Sequence, residues 1–500
     1  MWKIRLLALA AAWIAGCAIV PSPEVTRDLD IRACTAWFSE LDVAVDRAGV
    51  RDAEAHRMAG FPYLRSNRRL ASLAGEAIGD DAKFAAWLTA LRELDRSGRS
   101  VEARNLPAAE RARFLAGDWA GLQEHSDRCA QALMGNMDAI RAGLATAATV
   151  PDNYSTLART IGLYPLTSVS FLAGVERWQA ETRELFRLTP TVPASRESLI
   201  RYLPPGGISH DLVAATLLAT APRDGLGPLA RDARQAEVLL QAYAPVIEIE
   251  SQSTDDTPGA LHWLSDGQLD VDAGSPAAYR RIDRMRIDGN WFTQLVYTYW
   301  FNNRPPTGSA DLLAGHLDGL VIRITIDSQS VPILMDSIHA CGCFHQFFPS
   351  SRLQLRASPP ERGEWAFVPA ALPVLPEDGR YVLRLSSGNH YLMQVSVTQG
   401  EPIDWHGAGP VALGPRRKHY TLLDDGELRT LPTPSGGSKS IYGPDGLIAG
   451  TERGERWLFW PMGIASAGAM RQWGHHATAF VGRRHFDDAD LLDKRFRLMP

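Results

Sequence analysis

Cysteine is scarce in this chain and positive charge is not in excess, and each shortage narrows the class of protein. The 500 residues hold only five cysteines, too few for a small disulfide-dense scaffold. Fifty-two Lys and Arg against 57 Asp and Glu leave a net charge of −5, so there is neither a basic footprint for nucleic acid nor a polybasic patch for anionic lipid. No apolar run reaches the roughly 20 residues that a membrane-spanning helix needs, and no long polar tract marks disorder. H-E-x-x-H, G-x-S-x-G and a full Walker A loop are also absent, which leaves a zincin, an α/β-hydrolase or an NTPase without support and no catalytic residue assigned. What remains has globular composition, 45% hydrophobic and 22% charged.

At the N-terminus, Lys3 and Arg5 precede an unbroken apolar run from Leu6 to Ala15, the pattern of a secretory n-region and h-region. The run closes on Ile14-Ala15-Gly16-Cys17. These residues resemble the lipobox of bacterial lipoprotein precursors: an aliphatic residue, two small ones, then the cysteine that is lipidated. The resemblance covers about the first eighteen residues. It implies cleavage ahead of Cys17 and membrane attachment through lipid on that residue. Because Ala18 rather than aspartate follows, it also implies the outer membrane, facing the periplasm. We therefore expect a signal segment at 1–17 and a tether at 18–29 stiffened by Pro21 and Pro23. Protein or glycan partners stay open.

From 30 to 244 the apolar spacing is helical. Cys34, Trp37, Phe38, Leu41, Val45 and Ala48 form one stripe ended by Gly49, and Phe84, Trp87, Leu88, Leu91 and Leu94 form another behind Asp80 and Asp81. Further stripes run from Cys129 to Leu144 and from Leu229 to Tyr243. Cys34 and Cys129 both lie on apolar helix faces, which predicts a buried disulfide in an oxidising compartment. At Pro245 the period changes to two, and strands are expected at 246–250, 291–301, 320–326, 331–338, 365–368, 381–385, 391–397 and 420–423. The expected fold class is α+β: a helical N-terminal domain at 30–244, then a β-rich, mainly antiparallel C-terminal domain at 245–500.

One cluster carries chemistry: His339-x-Cys341-x-Cys343-x-His345. On an extended strand alternate side chains share a face, but a straight strand would spread the outer pair about 20 Å, too far for one ion. Gly342 is the place for a bend. Thiolate and imidazole select zinc or copper. The two preceding runs read as a hairpin in which Ile326 faces Val331, Ile324 faces Ile333 and Ile322 faces Met335. Extended, that register sets Asp318 opposite His339, where a carboxylate would orient a ligating imidazole. Two other readings stand beside this one: a thiol pair at Cys341 and Cys343 serving disulfide exchange, and an envelope scaffold whose cysteines are purely structural.

Overall fold

The computed structural model describes residues 31–115, 119–134, 141–189, 198–206, 233–359, 363–377, 379–398 and 416–499. Cys17, the lipobox and the tether lie outside the described residues, as does Leu229 at the start of the last helical stripe.

The N-terminal half is helical: α1 (Ile31–Ala48), α2 (Arg68–Ala77), α3 (Asp81–Asn105), α4 (Ala108–Phe114), α5 (Trp119–Met134), α6 (Arg141–Ala147), α7 (Thr156–Ile161) and α8 (Tyr164–Leu188). In α1 the stripe Cys34, Phe38, Leu41, Val45 is buried, and the chain leaves the helix through Gly49 at φ +67°, a left-handed conformation that suits a residue without Cβ. Asp80 caps α3, its carboxylate accepting from the Lys83 backbone N–H at 2.9 Å. Of the long stripe from Cys129 to Leu144, Cys129 and Leu133 lie on α5 and Leu144 on α6, while Met137 and Ile140 lie outside the described residues. This half is not purely helical. Gly60, at φ +82°, turns a short hairpin of β1 (His56–Met58) and β2 (Phe61–Ser66). From β2 the buried Arg65 reaches Glu102 at 2.6 Å and Asp95 at 3.3 Å on α3.

The strand-rich half begins earlier than its sequence pattern suggests. Strand β3 (Leu199–Leu203) and helix α9 (Ala233–Ala242) precede β4 (Val246–Glu250), and Ile200, Tyr202, Leu239 and Leu240 share one core with Ile247 and Ile249. Next come β5 (Gly259–Trp263), β6 (Leu269–Ile287), β7 (Asn290–Arg304), β8 (Gly315–Ile326), β9 (Pro332–His339), β10 (Gln346–Pro349), β11 (Leu353–Leu355), β12 (Tyr381–Leu385), β13 (Leu392–Val397), β14 (Arg416–His419) and β15 (Thr421–Asp424). The larger sheet runs β10-β9-β8-β7-β6-β15, antiparallel except at β15, and the smaller one runs β13-β12-β4-β3-β14. The fold is therefore α+β with a mainly antiparallel C-terminal region. The expected strand at 365–368 is absent. Those residues are irregular, and Phe367 lends only its carbonyl to Phe347.

Strand β6, the longest, is missing from the hydrophobic pattern because its side chains are held by charge. Arg281 reaches Glu54 at 2.6 Å, Arg286 reaches Glu76 at 2.8 Å and Arg280 reaches Glu237 at 2.5 Å. Two of these partners belong to the helical half, so ion pairs fasten helices to sheet.

Cys34 and Cys129 meet as expected, their sulfurs 2.04 Å apart and both side chains buried. They join α1 to α5 across a separation of 95 residues. The double substitution Cys34→Ala and Cys129→Ala is expected to lower unfolding stability by about 2–5 kcal/mol, read as a shifted urea midpoint. An unchanged midpoint, with both native thiols open to alkylation after unfolding without reductant, would refute the bond.

Candidate functional site: a thiol-lined apolar cleft

The hairpin of β8 and β9 sets the geometry. Asp327 closes its turn by accepting from the Gln329 and Val331 N–H groups, both at 2.8 Å, while Ser330 takes φ +65°. A bulge at Thr325/Ile326 pairs Ile326 with Pro332, after which Ile324 faces Met335 and Leu320 faces His339. The expected register is thus corrected by two residues, the bulge and turn taking up the difference. An even shift preserves the faces. Asp318 is not directly opposite His339 but still shares its side, with Oδ1 3.5 Å from His339 Nδ1 and both groups buried.

Asp318 has a nearer partner that the sequence pattern did not reveal. His390, in the turn between β12 and β13, brings Nδ1 to 2.8 Å from Asp318 Oδ2 and stacks on Phe301 at 3.8 Å. Its Nε2 lies 3.6 Å from Asp256, a carboxylate also fixed by the Gly388 N–H at 2.7 Å and the Ser387 hydroxyl at 2.8 Å. Buried acid and imidazole therefore alternate as His339, Asp318, His390, Asp256. Burial alone would raise the Asp318 pKa, but hydrogen bonds and charge from His339 and His390 hold it far below the carboxylate range. His390 moves up despite its burial, because both aspartates favour its cation, whereas burial moves His339 down. The only sequence signal for His390 was its place in Gly388-Asn389-His390, a turn after a strand.

Beyond His339 the chain bends where Gly342 was expected to allow it, at φ +93°, and a Cβ there would strike the Ala477 carbonyl oxygen at 2.5 Å. The Gly342 N–H donates to the His339 carbonyl at 2.7 Å and the His339 N–H to the Cys343 carbonyl at 3.0 Å. Phe344, also left-handed at φ +62°, then reverses the face on which the next side chain emerges. His345 consequently pairs with Asp336 at 3.0 Å, beside Arg323. Arg323 alternates along β8 with Ile322 and Ile324, so its face is opposite to theirs. His339 and His345 thus end on opposite faces of the sheet. Among the described residues no group of three or more His, Cys, Asp or Glu is placed to hold a metal ion. Cys341 and Cys343 do come together as free thiols, and the neighbouring Cys341 thiol, with burial, pushes Cys343 up.

These thiols open on a cleft of about 950 Å³ between α8, the 307–313 loop, the 341–345 turn and C-terminal segments around 455–484. Phe171, Val175, Trp178, Phe459 and Phe480 supply apolar wall, and Glu364, Glu455 and Arg484 supply polar points. Glu455 is almost fully buried, and burial pushes its carboxyl up to about 7 even though Arg304, Arg453 and Arg471 oppose the shift. Glu364 is tied down by the Phe480 and Val481 N–H groups at 2.6 and 3.0 Å. Chemically the cleft suits a largely apolar molecule whose polar end meets a carboxyl group and two thiols. Its lining comes from segments far apart in sequence, which is why no local pattern announced it. His475 bonds locally outside the cleft, its Nε2 donating to the Ala53 carbonyl at 2.9 Å and its Nδ1 accepting from the Asn153 amide at 3.0 Å.

No family model matches this chain, and neither a curated protein nor a solved structure shows significant similarity to it.

The opposed faces can be checked through Asp336, which holds Arg323 at 2.6 Å with both groups fully buried. Asp336→Ala leaves a buried guanidinium uncompensated and is expected to cost about 3–5 kcal/mol. Thermal and urea unfolding would measure it. A loss below about 1 kcal/mol would contradict the buried pairing.

Proposed function

We propose that the chain is a cell-envelope protein, anchored to the outer membrane by lipid on Cys17 and facing the periplasm, that binds an apolar-chain ligand in its cleft. The carrying observation is the cleft: about 950 Å³ of mainly apolar space with a few convergent polar groups, the usual anatomy of a small-molecule site. Lys3, Arg5, the Leu6–Ala15 run and Ile14-Ala15-Gly16-Cys17 support the anchor. Among the described residues no helix is long and apolar enough to cross a membrane.

A second reading is favoured by the paired sulfurs of Cys341 and Cys343 at the cleft wall. Adjacent thiols suit exchange with a disulfide-bearing ligand, one thiolate attacking its S–S bond and the second resolving the mixed disulfide so that the ligand leaves as two thiols and Cys341–Cys343 is joined, or capture of a thiophilic ion such as copper or zinc. In this reading Cys341 and Cys343 are the ligands, while His339 and His345 keep their carboxylate partners.

Gly174 provides the test. It lines the cleft from α8, and a Cβ built there meets nothing within 4 Å. Gly174→Leu should therefore fill the cleft without disturbing the fold, and it removes a helix-weakening glycine. Affinity for a fluorescent fatty acid is expected to fall at least roughly tenfold, about 1.4 kcal/mol, with thermal stability kept or raised. Equal affinity in the variant would remove the cleft as the binding site. Separately, Cys17→Ser should abolish lipid modification, read by mass spectrometry, and release the protein from membranes. Unaltered membrane fractionation would overturn the anchor.

A further inference from the structure

Helices α7 and the first half of α8, together with α10 (Arg456–Phe459), expose apolar side chains that the described fold leaves uncovered. Leu157 on α7, Leu166 on α8 and Trp457 on α10 are 70%, 70% and 71% exposed, and Ile161, Val169 and Leu458 are exposed beside them. The three elements form one surface. The Ser155 N–H donates to the Gly463 carbonyl at 2.7 Å, Phe171 packs edge-on to Phe459 at 5.2 Å, and Gly162 lies so close to Pro461 that a Cβ would meet it at 2.5 Å.

Charge is sparse here: Arg456 on α10 lies 4.9 Å over the Trp457 ring, and Arg483, donating to the Thr156 hydroxyl at 2.7 Å, pairs with Asp152. Residues 155–175 include a single ionisable charge, Arg159, and its guanidinium is turned inward to the Met462 and Gly482 carbonyls at 2.8 and 2.6 Å. From Glu176 onward α8 becomes charged, with Arg177, Glu181, Arg183, Glu184 and Arg187. The first three turns of α8 are therefore uncharged, with Tyr164, Thr167, Ser168 and Ser170 as their polar residues, and they carry apolar side chains on both sides. Phe171 and Val175 face the cleft, and Leu166 and Val169 face outward. Apolar side chains on opposite sides of one helix call for apolar surroundings on each side.

Three observations select a bilayer surface as that medium. Trp457 and Trp460 belong to the exposed rim, and indole rings favour the boundary between headgroups and acyl chains. Sparse charge, with Arg456 over Trp457 and Arg483 paired to Asp152, suits a zwitterionic phospholipid surface and calls for no strongly charged partner face. The chain between Cys17 and Ile31 spans 14 residues, at most about 50 Å when fully extended, so an anchored body stays within reach of the membrane. Leu458 lines the cleft and is also exposed on this surface, which makes the surface continuous with the cleft.

We propose that the face formed by α7, the first half of α8 and α10 docks on the phospholipid bilayer and opens the cleft toward the lipid phase. This deepens the cleft-binding reading and rests on it for the ligand. The docking surface itself stands apart from it.

The experiment uses residues 18–500, which retain every described element and carry no lipid, with phosphatidylcholine vesicles in a flotation assay. The protein is expected to float with the vesicles, and bromine-labelled acyl chains should quench its tryptophan emission. The double substitution Leu166→Asp and Trp457→Asp, both outside the cleft lining, should reduce partitioning at least roughly tenfold while fatty-acid binding in detergent-free solution is unchanged. Gly174→Leu should still float. If its fatty-acid affinity is also undiminished, the cleft reading falls and the docking surface stands. The inference is overturned if the protein stays with the unbound fraction, if the double substitution floats as well as the original, or if that substitution only converts a dimer to a monomer.

Discussion

Burial of the central sheet on both faces is the constraint on which the rest depends. Strand β7 is covered continuously from Phe292 to Phe301, and β8 from Leu317 to Ile326. Within these runs a polar group has no water to turn to, and most side chains are either apolar or find a partner inside, Trp300 Nε1 and Gln294 Oε1 being buried without one. Tyr297 spends its hydroxyl on the Leu240 carbonyl at 2.8 Å, Arg323 spends its guanidinium on Asp336, and Asp318 is shared between two imidazoles. A charge in such a place costs several kcal/mol unless paired. The pairs therefore determine where the strands can end, and the turn carrying Cys341 and Cys343 begins where β9 runs out at His339.

A related solution joins the two halves. Arg281 stands between Glu54 and Asp425, and Arg429 bonds Asp52. Burial works against the charged form of Glu54, yet Arg281 and Arg429 pull its pKa down to about 2. These pairs make the interface directional where they cross it, beside apolar contacts such as Phe186 on Phe348 at 5.4 Å and Trp178 on Phe367 at 5.0 Å. It also explains why a compositional boundary near 245 does not separate two cores: α9 and β3 contribute to the sheet side, and Glu54 and Glu76 reach across from the helical side.

How much of this was legible depends on whether a residue's role is set locally. Helix α1 and strands β4 and β12 were readable almost to their ends, because each presents an apolar period and a clear terminator. The meeting of Cys34 with Cys129 was readable for the same reason. Strand β6 was not, since Arg280, Arg281, Asp283, Arg284 and Arg286 read as solvent-facing until their partners are known. The shared face of Asp318 and His339 survived a wrong register because faces repeat every two residues. His345 was lost to a single left-handed residue, Phe344, that strand alternation cannot anticipate. Neither His390 nor the cleft has a local signature, as both are products of tertiary assembly.

The sulfur bridge between α1 and α5 has a mechanical side. Tension carried along α1 from its N-terminal side meets Cys34, the first buried residue of the described helix. The bridge diverts that tension into α5 before the part of α1 that follows Cys34 can unwind. Peeling of the first helix, otherwise the weakest mode for a body pulled from its end, is arrested at its first buried residue. Drag or crowding acting against an attachment at that end would therefore strain a covalent cross-link instead of the packed core behind it.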